Sequence, residues 1–178
     1  MNLKCAVVGI LAAGCVIATS CLLPTVSPAQ QDTATQKVKT AMALLKTKAE
    51  KLGPAKIEGT DTVADKTVPA VFFGGTKMNN NFTVVDEVVK EVGGTATIFV
   101  KSGNEYVRVA TNVKKDDGSR AVGTILDPKG KAIEFINKNE AFYGEAMILG
   151  KAYVTGYEPM RDAAKNVIGI YYVGYLKE

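Results

Sequence analysis

Thr95-Ala96-Thr97-Ile98-Phe99-Val100-Lys101 is followed by Ser102-Gly103-Asn104, then by Glu105-Tyr106-Val107-Arg108-Val109-Ala110-Thr111-Asn112-Val113. β-Branched and aromatic residues dominate the two outer segments, and a glycine-centred turn joins them. The reading is a hairpin with strands at 95–101 and 105–113. Period two puts Tyr106, Arg108, Ala110 and Asn112 on one face of the second strand. Val107, Val109, Thr111 and Val113 take the other face, which suits a core.

The same period governs the chain downstream. Three more strands are predicted, at 142–149, 152–161 and 167–175, with Gly150-Lys151 as a hairpin loop and 162–166 as a turn. Residues 114–119 form a charged turn, and 121–126 is ambiguous. Asp127-Pro128 reads as an N-cap with proline at the first helical position, opening a short helix that carries Ala132, Ile133, Phe135 and Ile136.

Upstream the period is helical. Val38, Met42, Leu45, Ala49 and Leu52 recur at three- and four-residue steps and define a long amphipathic helix over 36–52, closed by Gly53-Pro54. Its stripe suits packing on the chain's own sheet, with part of it available for a parallel homodimer. Residues 56–66 are polar and read as loop, 68–73 as a short extended segment. Thr83 and Asp86 form a predicted capping box for a helix bearing Val85, Val88, Val89 and Val92. The sum is an α+β fold: a five-stranded antiparallel sheet with helices before and within it.

The N-terminus differs in kind. Lys4 precedes an uncharged run from Cys5 to Leu23, and small residues lead to Ala29. Residues 1–29 therefore read as a signal peptide cleaved after Ala29, with residues 30–178 as one domain. Two rivals remain open: an uncleaved membrane anchor, or lipidation at Cys21. All three cysteines, Cys5, Cys15 and Cys21, fall in this segment, so the domain has no disulfide.

Composition narrows the chemistry. The 178 residues contain no histidine, which excludes Ser-His-Asp and Cys-His catalysis and imidazole metal ligation. Neither Gly-x-Ser-x-Gly nor a phosphate-cradling loop occurs, and Asp116-Asp117-Gly118 does not complete a calcium loop. Glu145 and Glu158 lie on neighbouring strands but read as solvated or ion-paired carboxylates. No enzyme activity and no cofactor are expected. The net charge of +4 comes from dispersed lysines without a basic stripe, so no nucleic-acid partner is expected.

The order and wording of several segments resemble the single Cache domain of the Cache 3/Cache 2 fusion type, the extracytoplasmic sensor module of bacterial chemoreceptors and sensor kinases. The matching stretches are Phe82 to Val85, Gly93 to Val100, Tyr106 to Val113, and Gly118 to Thr124 through Asp127. Tyr143-Gly144, Gly156 to Pro159 through Asp162, and Val167 to Ile170 with Gly174 complete them. The likeness spans about 36–175. It implies a PAS-like fold, a long N-terminal helix on an antiparallel sheet, and a small ligand pocket on the other face. It also implies a periplasmic sensor that binds a small organic acid or related metabolite and signals through a receptor or sensor kinase partner.

Five residues are candidates for that pocket. Arg108 offers a planar fork of donors suited to a carboxylate; the plainer reading is a solvent-facing arginine. Arg120 begins the segment that borders the pocket in the resembled fold, against a surface ion pair with Asp116 or Asp117. Tyr143, Tyr153 and Tyr157 each combine an apolar ring with a hydroxyl, against ordinary half-buried sheet tyrosines. The competing functional reading is a structural or adapter module with a filled pocket, acting through its helix or a sheet edge.

Overall fold

The computed structural model describes residues 28–177. The signal peptide or anchor expected at 1–29 lies almost wholly outside the described residues, as does Cys21, for which lipidation is the other reading. Among the described residues, no helix is long and apolar enough to cross a membrane.

The elements run α1 (Pro28–Glu50), β1 (Ala55–Val63), β2 (Lys66–Phe73), β3 (Thr76–Lys77), α2 (Thr83–Val92), β4 (Thr95–Ser102), β5 (Glu105–Thr111), α3 (Lys131–Asn137), β6 (Phe142–Ile148), β7 (Lys151–Arg161) and β8 (Val167–Leu176). The fold is α+β. The five strands expected from residue 95 onward form one antiparallel sheet in the order β5-β4-β8-β7-β6. A second antiparallel sheet, β1-β2-β3, precedes it.

That second sheet corrects the loop expected at 56–66. β1 is an edge strand whose middle residues face solvent, and its register shifts between Ile57 and Thr60. Exposure removes the alternation that marks a strand, and the irregularity breaks what remains. The α1 stripe is buried where the sequence places it, with Val38, Met42, Leu45 and Ala49 packed against the five-stranded sheet. Leu52 leaves the stripe, because the helix stops at Glu50 and Leu52 is 39% exposed. Beyond that end Gly53 (φ +125°) packs on Gly74, where a Cβ would fall 2.6 Å from the Gly74 Cα.

Two expected caps are absent. The residue before α2 is Phe82, whose side chain makes no capping hydrogen bond. Asn81 Oδ1 accepts from the Thr83 amide instead, at 3.1 Å, while Asp86 pairs with Arg120. The short helix α3 begins at Lys131, not at Pro128, with Gly130 before it. Asp127 Oδ1 accepts from the Lys129 amide at 2.9 Å, so the aspartate closes a turn ahead of the helix.

The large sheet separates two cores. One holds α1, α2 and the small sheet; the other lies under α3 and the 113–132 segment. Gly169 on β8 marks how tightly the centre is packed: a Cβ there would meet the Phe99 carbonyl at 2.1 Å and Met160 Cε at 2.3 Å. Gly169→Ala should therefore cost about 1–3 kcal/mol or more, as overpacking does. Gly75→Ala, at a position with nothing within 4 Å, should be close to neutral. Urea midpoints of the two variants check the contrast; equal midpoints would contradict the packing described.

Candidate functional site

The site begins with one extra residue in β5. Thr97 pairs with Thr111 and Ile98 with Ala110, but Phe99 pairs with Arg108, so Val109 has no partner. A bulge of this kind inverts which face each later side chain takes. Tyr106, Arg108 and Thr111 consequently share the face of Thr97 and Phe99. Val107 and Ala110 join Ile98 and Val100 in the α1 core. The simple alternation that grouped Arg108 with Ala110 is thus corrected: Ala110 packs behind the sheet and Thr111 takes its place, bonded to Thr97 at 2.6 Å.

Arg108 is held inside the protein, with only 4% of its surface exposed. The chain at 121–126 runs alongside β5 and fixes it. The Arg108 amide donates to the Thr124 carbonyl at 2.9 Å, and the Gly123 amide donates to the Arg108 carbonyl at 2.9 Å. Arg108 Nη1 donates to Thr124 Oγ1 at 2.7 Å, and that hydroxyl donates to the Ala121 carbonyl at 2.8 Å. The guanidinium carbon stands 5.0 Å from the centre of the Phe99 ring. Nε is buried and finds no acceptor among the described residues. Arg108 makes no ion pair with any described residue. Burial pulls its pKa down, and the neighbouring Tyr157 and Tyr172 push the other way. A buried cation with a partly empty set of donors is an uncompensated charge.

This charge sits at an open cleft of about 600 Å³. Arg108 and Tyr157 line it from the sheet, Ile125 and Leu126 from the segment beside β5, and Ala132 from α3. The β6–β7 hairpin closes the far side with Ala146, Ile148 and Ala152. Tyr157 is buried, its ring 4.9 Å from Tyr172 and 6.2 Å from Phe142. Burial raises its pKa well beyond the usual phenol range, with Tyr172 adding to the rise and Arg108 opposing it. The hydroxyl therefore stays protonated and able to donate.

The other candidates lie elsewhere. Tyr153 shares the Tyr157 face and is half-buried against the same core, outside the cleft wall. Arg120 is bidentate to Asp86 at 2.7 and 2.8 Å, rather than to Asp116 or Asp117. It also donates to the Thr111 carbonyl at 2.8 Å and covers the Phe82 ring. Tyr143 is on the helix side of the sheet. Its hydroxyl donates to Glu158 Oε1, and Lys46 of α1 reaches Glu158 Oε2 at 2.8 Å. Glu145 pairs with Lys177 at 2.6 Å. Thr124 and Phe99, which hold the guanidinium, carried no signal in the sequence. The first lies in the ambiguous 121–126 segment, and the second is one residue of the strand predicted at 95–101.

Glu158 gives a pH signature. Burial pushes its carboxyl up, but the hydrogen bonds from Lys46 and Tyr143 outweigh this and hold it below its ordinary value of 4.5. A depressed carboxylate adds stability above the unfolded-state value, and the contribution is lost as pH falls through the folded one. Tyr143→Phe should cost about 1 kcal/mol at neutral pH. It should also lose less stability than the parent chain on going to about pH 3. Urea melts at the two pH values check it, and an equal loss in both proteins would contradict the network.

The family model described as the Cache 3/Cache 2 fusion domain matches residues 22–178. No curated protein matches the chain.

Proposed function

We propose that this chain, which belongs to the Cache 3/Cache 2 fusion domain family, uses the Arg108 cleft to recognise a small organic acid. Cache domains are sensor domains, and the reading places this one outside the cytoplasm as a single domain over 30–178. Residues 1–29 direct its export, as a cleaved signal peptide or a retained anchor, and a receptor or sensor kinase receives its output.

The observation that carries the reading is the unpaired guanidinium. A buried planar cation satisfies its remaining donors best with a carboxylate, whose two oxygens match the fork. Tyr157 adds a hydroxyl donor from the same wall. Tyr153 belongs to the neighbouring surface of that face, while Arg120 and Tyr143 have partners elsewhere and are not assigned to the ligand. An open cleft of about 600 Å³ favours this reading over an adapter with a filled pocket.

Strand β7 supports a route for the signal. Tyr157 faces the cleft, and the next residue, Glu158, faces α1 through Lys46. A displacement of β7 on binding is felt at the helix without any intermediary. An acid that draws Arg108 and Tyr157 toward itself binds one arrangement of the strand better than the other, which is the condition for a population shift.

Thermal unfolding of the full chain with a panel of organic acids tests the proposal. An acid at about one hundred times its Kd adds about 2.7 kcal/mol, a rise of about 5–10 °C in Tm for a chain of this size. Arg108→Met should abolish that rise while leaving the free protein as stable as before or more so, because a buried charge is replaced by an apolar side chain. No rise with any acid, or an undiminished rise in Arg108→Met, would overturn the assignment.

A further inference from the structure

We infer that the acid this cleft takes is a monocarboxylate with an apolar body, not a compact di- or tricarboxylate. The inference rests on the reading of Arg108 as the carboxylate partner and adds to it the nature of the rest of the ligand.

The cleft offers one buried cation and much hydrocarbon. Ile125, Leu126, Ala132, Ala146, Ile148 and Ala152 make its walls. Its volume of about 600 Å³ falls in the middle of the range that holds ligands far larger than a two- to four-carbon acid. Apolar surface continues over the lip, where Met147 is 63% and Leu149 43% exposed, and both border the cleft. Covering that lip with a hydrocarbon body removes it from water, and a short hydrophilic acid leaves it wet.

The remaining charges disfavour a second anionic group. Asp127, Lys131 and Glu145 also border the cleft, two carboxylates against one lysine. Lys177 engages Glu145, so the lip is close to neutral and gives a second carboxylate no excess of positive charge. A second carboxylate deeper in would meet the aliphatic walls, where an unpaired charge is strongly disfavoured. The geometry pairs one anionic end with one apolar end.

Calorimetric titration of the full chain with butyrate, hexanoate and octanoate tests this. The Kd should fall about fourfold for each methylene buried, and succinate should bind more weakly than butyrate. Hexan-1-ol, which keeps the body and lacks the carboxylate, should bind at least tenfold more weakly than hexanoate. Ala146→Leu should weaken octanoate more than acetate by narrowing the apolar part. A Kd independent of chain length, or succinate binding more tightly than butyrate, overturns this inference and leaves the carboxylate reading standing. Hexan-1-ol binding as tightly as hexanoate overturns the carboxylate reading instead. If no acid binds, both fall.

Discussion

A guanidinium charge buried beside a hydrocarbon-lined cleft is the constraint around which the distal half of this fold is arranged. Taking a cation out of water costs several kcal/mol even after the protein relaxes. Part of that is recovered here by the Phe99 ring beneath the charge and by Thr124, which accepts from Nη1. Nε has no such partner among the described residues. The rest of the cost is borne by the sheet, whose packing keeps Arg108 in place: the Val109 bulge points it away from the α1 core, and the 121–126 segment pins its backbone on both sides. A stability-driven sequence would have an aliphatic residue there, as its neighbours Val107 and Val109 do.

The two faces of the sheet are built differently. Behind it, the α1 stripe and the small sheet form a dry core of valine, methionine and phenylalanine, closed by ion pairs from Lys46 and Lys48 to strand and helix partners. In front, aromatic rings from β4, β7 and β8 pack edge-on and tilted against one another beneath a loosely covered cleft. A closely packed face on one side and an open wall on the other fit the proposal that the helix reports on what the wall holds. Strand β7 takes part in both, through Tyr157 and Glu158.

Much of the fold was legible in the sequence because strong periodicity survives burial on one face. The five strands from Thr95 onward, the α1 stripe and the valine face of α2 all announce themselves in this way. What could not be read depends on register or on distance. β1 is solvent-exposed and irregular, so its residues look like loop. The Val109 bulge adds one residue without any local mark, since a valine between Arg108 and Ala110 is an ordinary strand residue, and simple alternation gives the faces of β5 the wrong partners beyond it. Arg108 was singled out by its residue type in a strand, but its burial follows from Thr124 and Phe99, which only the folded chain brings to it. Arg120 shows the reverse: a conspicuous arginine just after a turn, taken up by Asp86 from a helix far away in sequence.

The side-chain ¹H–¹⁵N resonance of Arg108 Nε reports on the central interaction most directly. With three arginines in the chain, it is assigned by comparing the parent spectrum with that of Arg108→Met. Titration with hexanoate should move this resonance to a saturating limit while those of Arg120 and Arg161 stay in place. An Arg108 signal that remains fixed while ligand binds, measured calorimetrically on the same sample, would show that the acid is held by other groups and that the buried charge serves the fold alone.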